Sequence, residues 1–264
     1  MLKNRPIVFF DSGVGGLPYL RLAQERLPSE SFIYVCDSKN FPYGTKSAEE
    51  LCSLILMTNQ RIVDCFNPKA VVVACNTASV VALGALREAF DIPFIGVVPA
   101  VKPAVEKAGG KRIAVIATQQ TTENDYLRAL IHDFAPENHV LTIGANFLVD
   151  LVENHLFSST SEERIKKMQL VIDQLRAEEI DTIVLACTHF ILLESDFRQA
   201  LGPLVKIIDS RDGVVRQLIR VLENHSLLVL NKDPVKEMWL TLVKESHKYK
   251  LFAEKFDLDY RGGF

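Results

Sequence analysis

The sequence predicts an α/β fold made of two pseudo-symmetric three-layer α/β domains, each with a mostly parallel sheet. Three observations predict it: short apolar, β-branched runs recur along the chain, helical segments separate them, and the pattern of the first half returns in the second. Such runs are typical of strands buried on both faces, and their alternation with helices is typical of parallel sheets. The 264 residues are enough for one large or two small domains of this class.

Eight apolar runs are predicted as strands, in two series of four. The first series is Ile7–Phe10, Phe32–Val35, Ala70–Ala74 and Phe94–Val98, and the second is Arg112–Ala117, Val140–Ile143, Thr182–Ala186 and Val205–Ile208. The first strand of each series ends at Asp11 and near Thr118, and the third ends at Cys75 and Cys187. Because the separation between the two series is similar at both places, we interpret them as a repeat.

Helices are predicted between the strands. They are Leu17–Leu27, Ala48–Phe66, Val80–Phe90, Glu123–Phe134, Glu162–Glu178 and Phe197–Leu201. The helical period is clearest in Glu162–Glu178, where apolar residues fall on one stripe. After the repeat, Val214–Asn224 and Val235–Lys248 continue in a helical pattern, and we expect this tail to pack on the first half.

The chain is therefore predicted to form one domain from residues 1–98 and 210–264 and a second from residues 99–209. The region Pro99–Gly110, which holds two prolines and two glycines, is the predicted crossing between them. The carboxyl ends of parallel strands are where α/β folds bind ligands, so we expect the active site in the cleft between the two domains.

Composition and charge narrow the function classes. Hydrophobic residues make up 48% and charged residues 24%, which is ordinary for a soluble globular protein, and a net charge of −3 gives no reason to expect nucleic acid or an anionic membrane as partner. The segment from Met1 to Phe10 lacks the apolar stretch of a signal peptide, and no apolar run approaches the ~20 residues of a membrane span.

Cysteine usage points to a reducing compartment. Five cysteines without an export signal favour free thiols in the cytoplasm over a disulfide framework. No Cys-x-x-Cys, His-x-x-x-His or carboxylate cluster has the spacing of metal ligands, so no metal site is predicted.

A glycine-rich turn follows the first strand, in Asp11-Ser12-Gly13-Val14-Gly15-Gly16. It fits a tight strand-to-helix turn, and it lacks the Gly-x-Gly-x-x-Gly of dinucleotide sites and the second Asp of aspartyl-phosphate phosphatases. The carboxylate of Asp11 and the hydroxyl of Ser12 suit an amine-bearing ligand, or support for a neighbouring acid/base group. After the second strand, Asn40–Lys46 is either a simple turn or a ligand contact through backbone N–H groups and Tyr43.

The two cysteines at matched strand ends carry the main functional prediction. A lone buried cysteine is usually core filler, and we assign Cys36, Cys52 and Cys65 to that class. Cys75 and Cys187 differ because each is followed by hydroxyl, amide or imidazole groups. A thiol has a reference pKa of about 8.5, which falls near helix N-termini and cations, so it is suited to proton transfer near neutral pH. His189 is placed to tune or reprotonate the second thiol.

Two matched thiols favour one reaction class. Inverting a stereocentre by proton transfer needs a base on one face of the carbon and an acid on the other. A hydrolase would need one cysteine with one histidine, and it would leave the second cysteine-ended strand unexplained. The pair therefore favours a racemase or epimerase over a hydrolase.

Four segments resemble the glutamate racemases of the cofactor-independent aspartate/glutamate racemase superfamily. They are Asp11–Leu17, Pro42-Tyr43-Gly44, Cys75-Asn76-Thr77-Ala78-Ser79 and Cys187-Thr188-His189, in family order over most of the chain. The resemblance implies a homodimeric, cytoplasmic isomerase that needs no pyridoxal phosphate or other cofactor. It implies the interconversion of L- and D-glutamate, with D-glutamate supplied to peptidoglycan.

The resemblance also implies residue roles. Cys75 would handle the α-proton of D-glutamate with help from Asp11, and Cys187 that of L-glutamate with help from His189. Substrate binding would involve Asp11, Ser12, Tyr43, Gly44, Asn76, Thr77, Thr118, Thr121, Glu153, Thr188 and His189. Of these, Glu153 is expected near the substrate ammonium.

The chain departs from the family pattern in the second half, at Asn124, Asn146, Asp150 and Ile191. None of these positions is a predicted catalytic group. They leave open a weakly active regulatory or partner-binding relative. The alternative enzyme interpretation is a racemase of aspartate or a hydantoin-type substrate, or a maleate isomerase-like enzyme.

Overall fold

The computed structural model describes residues 4–106 and 109–264. Residues 1–3, which belong to the segment compared above with a signal peptide, and residues 107 and 108 of the predicted crossing lie outside the described residues. The chain divides into two compact units, Met1–Val97 with Arg211–Phe264, and Val98–Ser210. No helix of the described chain is long and apolar enough to cross a membrane.

The first unit holds a six-stranded parallel sheet. Its strands are β1 (Ile7–Asp11), β2 (Phe32–Cys36), β3 (Ala70–Val73), β4 (Phe94–Gly96), β9 (Lys236–Leu240) and β10 (Asp259–Gly263). They lie in the order β10-β9-β2-β1-β3-β4, and every pairing is parallel. Every residue of β1, β2 and β3 is buried, as expected of strands covered on both faces.

Helices cover this sheet. They are α1 (Leu17–Arg26), α2 (Ala48–Phe66), α3 (Asn76–Ala89), α11 (Arg211–Asn224) and α12 (Ser246–Lys255), with a short 3-10 helix at Tyr43–Thr45. The apolar sides of α2 and α3 pack with Val8 and Phe10 in one core cluster. The alternate side chains Ile7 and Phe9 are equally buried, and α1 packs against α11. The unit is thus layered as predicted.

The second unit holds a four-stranded parallel sheet. Its strands are β5 (Arg112–Ala117), β6 (His139–Gly144), β7 (Thr182–Leu185) and β8 (Lys206–Ile208), in the order β6-β5-β7-β8. Its helices are α4 (Val101–Glu106), α5 (Gln119–Thr122), α6 (Asp125–Phe134), α7 (Phe147–His155), α8 (Ser161–Lys167), α9 (Gln169–Ala177) and α10 (Glu194–Leu201). A 3-10 helix, Thr188–Leu193, joins β7 to α10.

The predicted repeat is confirmed by the sheet topology. The order β2-β1-β3-β4 in the first unit matches β6-β5-β7-β8 in the second. The Ala74 N–H donates to Phe10 O at 2.7 Å, and the Ala186 N–H donates to Ile116 O at 2.8 Å. This register matches Asp11 with Ala117 and Ser12 with Thr118. The sequence pattern had matched Asp11 with a position near Thr118 instead.

The predicted helix Val235–Lys248 is wrong. Lys236–Leu240 forms β9, which pairs with β2, and a helix begins only at Ser246. Met238 and Leu240 are fully buried, while Trp239 alternates with them and packs on Phe66. The expectation that the tail packs on the first half is confirmed, because β9 and β10 extend that sheet.

Helix boundaries also differ from prediction. The helix predicted from Val80 begins at Asn76, directly after Cys75. The helix predicted over Glu162–Glu178 is interrupted at Met168, whose ψ of −3° ends α8 before α9 begins. Helices α4, α5 and α7 had no counterpart in the prediction.

Candidate active site

The two cysteines occupy the same position in the two repeats. Cys75 follows β3 and precedes the first residue of α3, and Cys187 follows β7 and precedes the 3-10 helix. Their backbones are nearly identical, with φ and ψ of −140° and 123° for Cys75 and −136° and 133° for Cys187. Each residue is 6% exposed. The repeat therefore presents two thiols in equivalent local settings, each at the start of a helical segment.

All five cysteines are free. Cys36 is buried and Cys52 is partly buried, but Cys65 is exposed near the end of α2, so its assignment to core filler is wrong. Among the described residues, no group of three or more His, Cys, Asp or Glu side chains is arranged to hold a metal ion.

In the first unit, Cys75 is linked to Asp11 through Ser12. The Ser12 Oγ atom lies 3.7 Å from Cys75 Sγ, and it donates to Asp11 Oδ1 at 3.1 Å. All three side chains are at least nine-tenths buried. The structure therefore brings these three predicted site residues together, and the hydroxyl connects the carboxylate to the thiol.

The glycine-rich turn that carries Ser12 lies against the end of β3. A Cβ atom on Gly16 would come within 2.6 Å of the Ala74 Cβ, so only glycine permits this approach. The Tyr34 hydroxyl holds the turn from β2, since it donates to Gly13 O at 2.8 Å and accepts from the Gly16 N–H at 3.1 Å. Sequence reasoning missed Tyr34, which lies in the middle of an apolar strand.

Tyr43 reaches the same region from the 3-10 helix that also contains Gly44. Its hydroxyl donates to Asp37 Oδ2 at 2.6 Å. Burial raises the pKa of Tyr43 well above its ordinary value, and the charges of Asp37, Cys75 and Asp11 raise this pKa further. The phenol therefore stays protonated at neutral pH, and it donates its proton in the hydrogen bond to Asp37.

Asn76 is the clearest sign of a ligand site. It is 3% exposed, and neither atom of its amide group has a hydrogen-bonding partner within the described chain. Leaving a buried amide without partners costs about 1–3 kcal/mol for each group, so such groups are rare without a function. Thr77 beside it is also buried. The pair is placed to bind polar groups next to Cys75.

In the second unit, His189 is paired with Glu153. The His189 Nε2 atom lies 2.9 Å from Glu153 Oε1, and both residues are 2% exposed. The sequence predicted Glu153 as a substrate contact and missed this pairing, which joins residues on α7 and the 3-10 helix. Thr188, between Cys187 and His189, is likewise buried.

Thr118 and Thr121 form the remaining polar pair of this unit. Their Oγ1 atoms are 2.9 Å apart, and Thr118 caps the N-terminus of α5 by accepting from the Thr121 N–H. Thr118 occupies the position of Ser12 in the repeat. The first strand of this unit ends in Ala117, so it offers no counterpart to the Asp11 carboxylate.

The residues that depart from the family pattern have local structural roles. Asn124 caps α6 by accepting from the Tyr126 N–H at 2.8 Å, and Asn146 accepts from the Gln119 N–H at 2.8 Å. Asp150 is exposed and accepts from Asn154, while Ile191 is buried in the core. None of these four residues is one of the two thiols or a member of the His189–Glu153 pair.

Comparison with known proteins agrees with this geometry. Residues 19–218 match the family described as Asp/Glu/Hydantoin racemase. The chain belongs to the Asp/Glu/hydantoin racemase family. Within this racemase family it is 38% identical over 225 residues to the glutamate racemase of Sphingopyxis alaskensis, covering 84% of each protein. It is 36% identical over 234 residues to that of Shewanella baltica, covering 86% of this chain and 82% of the relative.

Solved racemases share the fold. The structure of Escherichia coli glutamate racemase, in complex with L-glutamate and the activator UDP-MurNAc-ala, superposes with a TM-score of 0.88 at 31% identity, over 98% of both chains. Francisella tularensis glutamate racemase in complex with D-glutamate gives a TM-score of 0.82 at 28% identity, over 100% of this chain and 97% of the other.

Proposed function

We propose that this protein is a glutamate racemase that interconverts L- and D-glutamate without a cofactor. The observation that carries the proposal is the pair of cysteines at equivalent positions of the two repeats. The orphaned amide of Asn76 beside Cys75, and the relatives that are glutamate racemases, support it.

The proposed reaction is a two-base proton transfer. One thiolate takes the α-proton and becomes a thiol, while the electron pair of the broken C–H bond stays on the α-carbon. The other thiol then delivers its proton to the opposite face and becomes a thiolate. In this assignment Cys75 handles the α-proton of D-glutamate and Cys187 that of L-glutamate. The reverse reaction restores both groups, so no oxidant, reductant or cofactor is consumed.

The neighbours of each thiol differ, and we assign them different tasks. Asp11 acts on Cys75 through the hydroxyl of Ser12, and His189 supports Cys187. We call the polar groups around Cys75 the first half-site and those around Cys187 the second half-site. The remaining polar groups of the two half-sites are assigned to bind the carboxylates and the ammonium of the substrate. These are Tyr43, Gly44, Asn76, Thr77, Thr118, Thr121, Glu153 and Thr188. Because an α-proton is weakly acidic, desolvation and positioning must supply much of the rate.

We further propose that the enzyme works in the cytoplasm as a homodimer and supplies D-glutamate for peptidoglycan. A small amino acid is then its only required ligand, with no nucleic acid or membrane partner. The net charge of −3 agrees with this assignment.

Circular dichroism of purified protein with L-glutamate, and separately with L-aspartate, tests the function. We expect the signal of glutamate to decay to zero and that of aspartate to persist. Decay with aspartate alone would assign the chain to the aspartate branch of the family. A constant signal with both would contradict the proposal and favour a different substrate or a regulatory role.

A further inference from the structure

A second buried carboxylate lies beside the first half-site. Asp37 directly follows β2, is 0% exposed, and donates its backbone N–H to Asp11 O at 2.8 Å. Its carboxylate accepts hydrogen bonds from Tyr43 at 2.6 Å, from Thr241 at 2.7 Å, and from the Asn40 amide at 3.0 and 3.1 Å. Within residues 4–106 and 109–264 it forms no ion pair, so these side chains alone compensate its burial.

Thr241 supplies one of these bonds from the C-terminal part of the chain. It follows β9, beyond residue 218, where the match to the family ends. Its hydroxyl donates to Asp37 Oδ1 and accepts from the Lys39 N–H at 3.0 Å, and its own N–H donates to Cys36 O at 3.1 Å. Both hydrogen-bonding functions of the hydroxyl are therefore used to fix the loop that leads to Tyr43.

Among the residues that the structure describes, the first repeat has this arrangement and the second does not. In the second unit Ala145 makes the same backbone bond as Asp37, since its N–H donates to Ala117 O at 2.8 Å. Alanine has no carboxylate, and the four-stranded sheet of that unit has no strand at the position of β9. The network is thus an addition to the repeat and not a requirement of its fold.

The network also determines whether the hydroxyl of Tyr43 can act as a hydrogen-bond donor or acceptor toward a ligand. Because its proton is donated to Asp37, the phenol oxygen presents only lone pairs to its surroundings, which suits an ammonium group and not a carboxylate. We propose that Asp37 and Thr241 are positioning residues that hold Tyr43 as an acceptor for the substrate ammonium. This inference rests on the proposed function, and it extends the substrate site to the C-terminal strands.

The test compares Thr241→Val with Thr241→Ser and Ser38→Ala. Valine has the shape of threonine without the hydroxyl, and serine keeps the hydroxyl. Ser38 is the matched control because it also makes two bonds between this loop and the tail, to Leu242 O at 2.7 Å and from the Leu242 N–H at 3.1 Å. In the described structure its hydroxyl forms no hydrogen bond with the Asp37 carboxylate.

We expect Thr241→Val to raise the KM for glutamate about tenfold, with kcat changed less than about threefold, because a hydrogen bond to a charged group is lost. Thr241→Ser and Ser38→Ala should keep wild-type KM values. In a Tyr43→Phe background, Thr241→Val should add no further increase, because both substitutions act on one hydroxyl. Asp37→Asn, which keeps the shape, should raise KM likewise, and it replaces Thr241→Val if that variant does not fold.

An equal KM for Thr241→Val and Ser38→Ala, or a full additional increase in the Tyr43→Phe background, would overturn the inference. Failure of the wild-type protein to racemise glutamate would instead overturn the proposed function. The two failures are therefore distinguishable in one set of assays.

Discussion

The imidazole of His189 and the carboxylate of Glu153 form a buried pair, with 2.9 Å between Nε2 and Oε1. An ionised Glu153 in this position accepts from Nε2, which leaves Nδ1 of a neutral ring as the acceptor. The pair thus fixes the orientation of the histidine that follows Cys187 by two residues, and with Glu153 ionised it also sets the tautomer of that ring.

Glu153→Gln should weaken the hydrogen bond that orients His189, without changing the shape of the side chain at position 153. We expect kcat/KM to fall tenfold or more, on the order of what one oriented acid/base group contributes. Since the two enantiomers have equal free energy, kcat/KM must fall equally in both directions. The asymmetry should appear in the primary isotope effect, which should rise more with α-deuterated L-glutamate than with the D-isomer.

Asp150→Asn is the matched control, because Asp150 lies on the same helix, α7, and its side chain is 64% exposed. It should behave as wild type in rate and isotope effects. Equal isotope effects for both enantiomers in Glu153→Gln would contradict the link between Glu153 and the second thiol.

The strands whose residues are completely buried could be predicted from the sequence. The runs ending at Cys75 and Cys187 are apolar throughout, so parallel strands and their shared ends could be predicted. The strand Lys236–Leu240 could not, because the charged residues Lys236 and Glu237 shorten the apolar run and leave a pattern that also fits a helix. Its pairing with β2 and β10 decides its conformation.

The sequence could predict those candidate site residues that stand next to a predicted strand end. Cysteine, histidine and glycine near strand ends are visible in one chain, and so is Asp11. Bonds such as those between Glu153 and His189, or Asp37 and Thr241, join residues far apart in sequence and depend on how helices and strands pack. No spacing rule predicts them.

Single serine substitutions test the two-thiol assignment. A serine hydroxyl is a far weaker acid than a thiol, so Cys75→Ser and Cys187→Ser should each lower racemisation by at least about 10³-fold in both directions. Cys65→Ser is the control, since that residue is exposed on α2, and it should retain full activity. Near-wild-type racemisation by either active-site variant would exclude the two-thiol mechanism.

Asn76 offers a test of ligand binding that separates stability from function. Asn76→Leu removes a buried amide that has no partner within the described chain. The substitution should raise the free energy of unfolding by about 1 kcal/mol, while KM rises at least tenfold. Urea unfolding and steady-state assays measure the two quantities.

Asn59→Leu provides the comparison, because the Asn59 Oδ1 atom is also buried without a partner in the described structure but lies on α2. It should leave KM unchanged. A destabilised Asn76→Leu with normal KM would show that this amide serves the fold and not a substrate.

A buried ion pair lies at the amino ends of the strands of the first sheet, where Glu30 precedes β2 and Lys69 precedes β3. Lys69 is 0% and Glu30 2% exposed, and their charged groups are in contact. Lys69 also donates to Leu227 O at 2.9 Å, and Glu30 accepts from the Val229 N–H at 3.0 Å, so the pair ties the segment before β9 to the N-terminal strands.

Lys69→Met should lower the free energy of unfolding by about 3–5 kcal/mol, because it leaves a buried carboxylate without its cation. Adding Glu30→Met should restore most of this loss. Urea unfolding of the single and double variants measures both free energies of unfolding. A double variant no more stable than Lys69→Met would contradict the idea that the unpaired Glu30 causes the loss.

The hydrogen that each enantiomer carries after reaction in D₂O tests the central claim most directly. Starting from L-glutamate, two bases predict that the first D-glutamate formed carries deuterium at Cα, while the remaining L-glutamate keeps protium. Mass spectrometry of the separated enantiomers at low conversion measures this. Deuterium appearing equally early in the recovered L-glutamate, or protium retained in the D-glutamate formed, would show a single base and contradict the assignment of one thiol to each face.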